Sequence, residues 1–189
     1  NKIKNSVSFL STKWYNLRDL KNYFKYKKKL DIWINIIFRI IVTLAIIFEK
    51  YPSFRHNDLS FKNVLIEEDN SNYDEFTKYQ INDRYFKIKN IGIKIYLWDF
   101  EFSNIPNVIE NSEILDMEKE YGILYSKNQY YDIHYFFNSM YYCKNIEIPF
   151  TIKSFIKSII PDKYFGINSK NNYRLLENIE FTTPNKLLD

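Results

Sequence analysis

The sequence predicts an α+β fold, mostly helical, and three observations carry that reading. One run, Leu30 to Phe48, is apolar nearly all round and reads as a long helix. Strand-like segments are confined to Asn63–Phe100. Helical spacing then returns at Tyr130–Tyr142 and Phe150–Ile160. Helices first, one local β element, then more helices is an α+β order. With 189 residues the chain suits one domain with a sizeable core. Its 46% hydrophobic and 19% aromatic content excludes a disordered chain.

Taken in order, "LRDLKNYF" (Leu17 to Phe24) reads as a short amphipathic helix. Leu30–Phe48 is long enough to raise the question of a membrane span. Asp31, Asn35 and Arg39 argue for a buried central helix instead, because charges near a bilayer centre are costly. No membrane span is therefore expected. Pro52 breaks the helix. "NVLIEE" (Asn63 to Glu68) and "IGIKIYLWDF" (Ile91 to Phe100) read as strands. Between them lie a polar loop, Asp69 to Phe76, and a small hairpin over Tyr79–Ile88 that turns at Asn82–Asp83. Residues 69–90 thus form an insertion between the two strands, with no catalytic role expected. Asn104 to Asn128 reads as irregular. The two later helices follow, the second stopped by Pro161, and Thr182 or Thr183 is placed to cap a last turn before Pro184.

Charge and cysteine content narrow the function. The net charge of +4 is scattered apart from "KYKKKL" (Lys25 to Leu30), so no nucleic-acid partner is expected. A single cysteine, Cys143, allows no internal disulfide and no CxxC metal pair, which fits a reducing, cytoplasmic compartment.

The chemistry concentrates just after the apolar helix. In "HNDLSFKNVLI", His56, Asp58 and Asn63 form H-x-D-x-x-x-x-N, and "WDFEF" places Asp99 at the end of the second strand. Asp or Asn in such places is often a turn or cap residue, and a lone His near an apolar face is usually part of the core. The context favours more. Two strands paired as a hairpin bring Asn63 and Asp99 to the same end. A carboxylate and an amide oxygen there suit Mg²⁺, a hard cation that keeps several waters. Asp58 stands beside them, able to accept a proton from a hydroxyl. Phosphoryl transfer needs this set: a positioned metal, a positioned nucleophile and charge neutralisation.

"HNDLSFKNVLI" resembles the kinase catalytic loop H-R-D-L-x-x-x-N, and "WDFEF" resembles the D-F-G metal motif. Leu30–Phe48 is similar to the buried helix before that loop, "YYDIHYFF" to the later helix that buttresses it, and "TTPNKLLD" to the closing helix of the lobe. The chain as a whole resembles the C-terminal lobe of the protein-kinase-like superfamily. It looks most like kinase-like proteins of giant DNA viruses, with some similarity to choline and ethanolamine kinases and to aminoglycoside phosphotransferases. The resemblance implies an ATP-dependent phosphotransferase with ATP and Mg²⁺ as cofactors and a hydroxyl-bearing substrate, protein or small molecule. It implies Asp58 as catalytic base and Asn63 and Asp99 as Mg²⁺ ligands. Lys62 would neutralise the transferring phosphate, with a solvated surface lysine as the alternative. His56, Phe100 and Asp132 would give structural support. A location in the host cytoplasm or the virion follows if the source is viral.

Departures from the pattern carry their own expectations. Asn57 replaces the usual Arg that pairs with a phosphorylated activation loop, so such regulation is not expected. Glu101 replaces the Gly of D-F-G and removes backbone freedom there. No A-P-E follows, and neither a G-x-G-x-x-G loop nor a V-A-I-K-type strand occurs. An N-terminal kinase lobe is therefore expected upstream. The chain starts at Asn1 without Met and reads as a fragment, inactive alone and weak in ATP binding. A small-molecule kinase and a kinase-like scaffold without turnover stay open as alternatives.

Overall fold

Asp19 decides how the first element begins. In the computed structural model, which describes residues 17–73, 75–81, 83–166, 174–175 and 182–189, its carboxylate accepts from the Asn22 amide at 2.8 Å. That N-cap starts α1 at Leu20–Tyr26 and leaves Leu17–Asp19 as strand β1. The helix expected from Leu17 is thus shorter. Its first three residues pair antiparallel with β2 (Val64–Glu68), Leu17 opposite Glu67 and Asp19 opposite Leu65. A contact so distant in sequence leaves no local periodicity to read.

α2 spans Leu30–Lys50. By length and composition it is apolar enough to cross a membrane, with a mean hydropathy of 2.2. In this fold it packs as the central helix. Trp33, Ile36, Ile37, Ile40 and Leu44 are buried against Phe136 and Phe137 and against Ile152 and Ile156. Those four belong to α4 (Tyr131–Tyr141) and α5 (Phe150–Ile159). Full burial of each such side chain contributes about 1.5–3 kcal/mol. Trp33 stacks on Phe24 at 3.6 Å between ring centroids, and Phe24 stacks on Phe61 at 5.7 Å, which ties α1 and the loop before β2 to the same core.

β2 is the middle of a three-stranded antiparallel sheet. β5 (Ile93–Leu97) runs along its other edge, from Val64 opposite Leu97 to Glu68 opposite Ile93. Between β2 and β5 stands a separate hairpin, β3 (Phe76–Ile81) and β4 (Arg84–Lys89), longer than the pattern of alternation indicated. Asn82, expected at its turn, lies outside the described residues. Ile81 packs on Val42 and Ala45, and Phe86 meets Phe38 at 5.5 Å. The polar residues of α2 find their partners here. Asn35 donates to the Lys89 carbonyl at 2.7 Å, and Arg39 donates to the Tyr79 hydroxyl at 3.0 Å.

The stretch from Asn104 to Asn128 is not irregular throughout, as expected, but contains α3 (Ser112–Tyr121). The Asn111 side chain accepts from the Glu113 amide at 3.1 Å to start it, and Gly122 at φ 68 ends it in the left-handed conformation. Ile114 is its one buried residue, so the caps rather than an apolar stripe define this helix. Near the C-terminus, Thr183 accepts through Oγ1 from the Lys186 amide at 3.2 Å, at the start of a 3₁₀ turn over Lys186–Leu188. Of "RLLEN", only Arg174 and Leu175 lie among the described residues.

Candidate active site

The loop that follows α2 is anchored by side chains from far along the chain. Arg55 is buried, its Nε donating to the Asn128 carbonyl and Nη1 to the Pro52 carbonyl, each at 3.0 Å. Burial lowers its pKa from the ordinary arginine value, with Asp132 acting in the opposite sense. Asp132, in the first turn of α4, accepts from two consecutive backbone amides: His56 at 2.7 Å and Asn57 at 2.8 Å. Both amides belong to fully buried residues, and the carboxylate is the acceptor they need in place of water.

Asn57 has φ 62, in the left-handed region that Asn tolerates better than most residues. Its Nδ2 donates to the Phe102 carbonyl and to Asn104 Oδ1, both at 2.9 Å. Where the kinase pattern has an Arg, this chain has a buried amide that ties the loop to the segment after β5.

That turn delivers Asp58. Asn63 Nδ2 donates both to the Asp58 carbonyl at 2.7 Å and to Asp58 Oδ2 at 2.8 Å. The other carboxylate oxygen, Oδ1, accepts from Arg174. Arg174 also donates to the Asn57 carbonyl and, at 2.8 Å, to the Tyr131 hydroxyl, and lies 4.4 Å over the Tyr135 ring. Burial disfavours its charge, but Tyr131, Tyr135 and Asp58 outweigh that and hold its pKa above the ordinary value. Burial raises the Tyr131 pKa strongly, so at neutral pH the hydroxyl keeps its proton and accepts from the guanidinium. Arg174 is the site residue that sequence reading missed. Its partner Asp58 lies 116 positions away, and nothing in the local pattern marks it.

The second strand brings the rest. Trp98 N donates to the Asn63 carbonyl at 2.9 Å, which fixes the end of β5 against the loop. His56 sits fully buried, Nε2 at 3.0 Å from the Trp98 carbonyl and its ring 4.9 Å from that of the half-exposed Phe100. Asp99 has φ 64 and is exposed, with no hydrogen-bond partner among the described residues. The left-handed position in this motif falls on Asp99. The next residue but one, Glu101, is held by its carbonyl, which accepts from Asn111 Nδ2 at 2.6 Å.

Asp58, Lys62, Asn63 and Asp99 all line one cavity of about 580 Å³. His56 and Asp132 stand behind its wall, and Lys62 is exposed at its rim. The oxygen donors fit a hard divalent cation. The Asn63 amide nitrogen is spent on Asp58, which leaves Oδ1 for a metal, and the Asp99 carboxylate is uncommitted. Among the described residues no cluster of three or more His, Cys, Asp or Glu occurs, so a softer metal has no ligand set there. One carboxylate and one amide suit Mg²⁺, which takes few protein ligands.

A mostly helical α+β lobe with a small antiparallel sheet between loops of this kind is compatible with a kinase-like C-terminal lobe. Similarity to known proteins points the same way. Over 199 aligned residues the chain is 36% identical to "Putative serine/threonine-protein kinase R400" of Acanthamoeba polyphaga mimivirus, covering 96% of this chain and 42% of that protein. Over 134 residues it is 31% identical to "Putative serine/threonine-protein kinase R301" of the same virus, covering 70% of this chain and 28% of that protein. No protein-family model matches the chain. The chain spans less than half the length of these curated relatives. It is a relative of the kinase-like proteins of a giant DNA virus.

Proposed function

We infer that this chain forms a kinase-like C-terminal lobe of an ATP-dependent phosphotransferase acting on a serine or threonine hydroxyl. The observation that carries the reading is the convergence of Asp58, Asn63 and Asp99 on one cavity. Both relatives are named as putative serine/threonine-protein kinases, and a carboxylate beside an amide and a second carboxylate is a residue set that phosphoryl transfer can use.

In this reading Asp58 orients the acceptor hydroxyl and takes its proton. Asn63, through Oδ1, and Asp99, through its carboxylate, would hold Mg²⁺. The ion, when bound, would neutralise charge on the ATP phosphates. Lys62, at the rim, adds positive charge where the phosphoryl group passes. Asp132 and Arg55 fix the loop from behind, so Asp58 has no freedom to drift from the acceptor.

One feature supports a second reading, a kinase-like scaffold without turnover. Both Asp58 oxygens are engaged, one by Asn63 and one by Arg174, so proton transfer requires one of them to be released. The Asp58→Asn substitution in the full-length protein separates the two. Loss of a positioned base costs about 10²–10⁴-fold in rate, measured as transfer from labelled ATP to a serine-bearing protein. Equal transfer by wild type and variant removes Asp58 from the mechanism. No transfer by either favours the scaffold.

A further inference from the structure

The cavity beside Asp58 is strongly one-sided in charge. Lys21, Lys62, Lys144 and Arg174 line it, against Asp58 and Asp99. Arg174 is committed to Asp58, and Asp99 is the residue assigned to the metal. Lys62 is the residue assigned to the transferring phosphate, which leaves Lys21 and Lys144 beside it. None of the three lysines has a carboxylate partner among the described residues.

The three come from separate parts of the fold: Lys21 from α1, Lys62 from the 3₁₀ turn over Phe61–Asn63, and Lys144 from the turn after α4. Cys143 lies on the same wall. Burial pushes its thiol pKa up, with Lys21, Lys25 and Lys62 opposing that only in part and Asp19 adding to it. Positive charge is thus brought to one place by the tertiary fold, in excess of the carboxylates of Asp58 and Asp99. Such a field in a concave site raises the local concentration of an anion and selects against a cation.

We propose that the hydroxyl acceptor of this site is a serine or threonine in an acidic peptide segment, its flanking Asp or Glu side chains met by Lys21 and Lys144. The proposal rests on the phosphotransferase reading for the word acceptor and on the lysines alone for the charge preference. A peptide fits better than a compact anion because the cations sit on separate elements around the cavity rather than on one. Both relatives are also named for protein substrates.

The test uses the full-length protein and three peptides that share one serine, flanked by Glu, Gln or Lys. The Glu-flanked peptide is expected to show the lowest KM, and its advantage to shrink as salt is raised. Reversing two charges in Lys21→Glu/Lys144→Glu should raise that KM roughly tenfold and lower the KM for the Lys-flanked peptide. A change of sign between two peptides in one preparation cannot come from misfolding. In parallel, fluorescence anisotropy of the labelled peptides reads binding without turnover. Binding of the Glu-flanked peptide, lost in the reversed variant, with no phosphate transfer to anything, upholds the acidic-segment site and overturns the phosphotransferase reading. Equal binding of Glu- and Lys-flanked peptides overturns the inference whatever the turnover. Efficient phosphorylation of glycerol 3-phosphate, with no Glu-flanked peptide used, also overturns it.

Discussion

Into β2 runs the loop His56–Asn63, and out of it, beyond a short polar turn, stands the β3–β4 hairpin. The loop is held by side chains distant in sequence: Asp132 under its backbone, Arg174 on Asp58, Trp98 against His56 and Asn63. The hairpin is held mainly by itself, through a six-residue ladder from Phe76 opposite Lys89 to Ile81 opposite Arg84. One face of it rests on α2, while Tyr85 and Phe76 stay exposed. Buried polar groups that depend on one distant partner are costly to orphan, whereas a ladder of local bonds loses little when one side chain goes. A site that must hold several polar groups in fixed positions is built the first way, and a surface extension the second.

The sharpest way to break this contrast is Asp132→Ala. It leaves the buried amides of His56 and Asn57 without an acceptor, at about 1–3 kcal/mol each. The total expected loss is about 2–6 kcal/mol, read as the shift of the urea unfolding midpoint. Asp132→Asn keeps one acceptor oxygen and should lose roughly half as much. A loss below about 1 kcal/mol for the Ala variant would mean that the loop is held by something else.

How much of this was legible in the sequence follows the same division. α2 and α4 showed themselves as apolar runs too long for strands, and α5 through Ile152 and Ile156 at helical spacing. β2 and β5 showed themselves as short apolar runs with turn residues around them. α3 did not, because Ile114 is its one buried residue and only its caps speak for it. β1 did not, because its partners lie at Leu65–Glu67. Asp58, Asn63 and Asp99 were legible through their spacing, and the fold does bring them to one cavity. Arg174 was not, since its contact is tertiary and its neighbours carry no motif. Asn57 was legible as a departure from the kinase pattern, but its left-handed backbone and its bonds to Phe102 and Asn104 appear only in three dimensions.

A smaller effect on the held side comes from His134, two residues after Asp132 on α4. It is buried, with Nε2 at 2.8 Å from the Tyr164 carbonyl. Burial lowers its pKa from the ordinary 6.5, and the Tyr164 carbonyl opposes that only in part. The unfolded chain therefore binds a proton at a pH where the folded protein does not. Stability from this group is complete above the unfolded pKa and is lost as pH falls through about 6.5 and below, by at most about 1.4 kcal/mol per pH unit. Denaturant unfolding at pH 7.5 and 5.5 should show the loss, and His134→Asn should remove that part of the slope. An unchanged slope in the variant assigns the pH dependence to other groups.

The smallest effect is expected on the hairpin, and it tests the other half of the comparison. Tyr85 is 76% exposed on β4, opposite Gln80. Tyr85→Ala removes a side chain that touches little of the core, so stability should move by no more than about 0.5 kcal/mol. Its neighbour Phe86 points the other way, as alternation along a strand requires, and packs on Phe38. Phe86→Ala should cost several times more, because it uncovers α2 as well as the strand. Phosphate transfer should survive Tyr85→Ala unchanged, since no described residue of the hairpin lines the cavity that holds Asp58. If Tyr85→Ala lowers transfer while the unfolding midpoint stays fixed, the hairpin takes part in recognising the acceptor. The division between a held site and a self-supporting extension would then be wrong at that point.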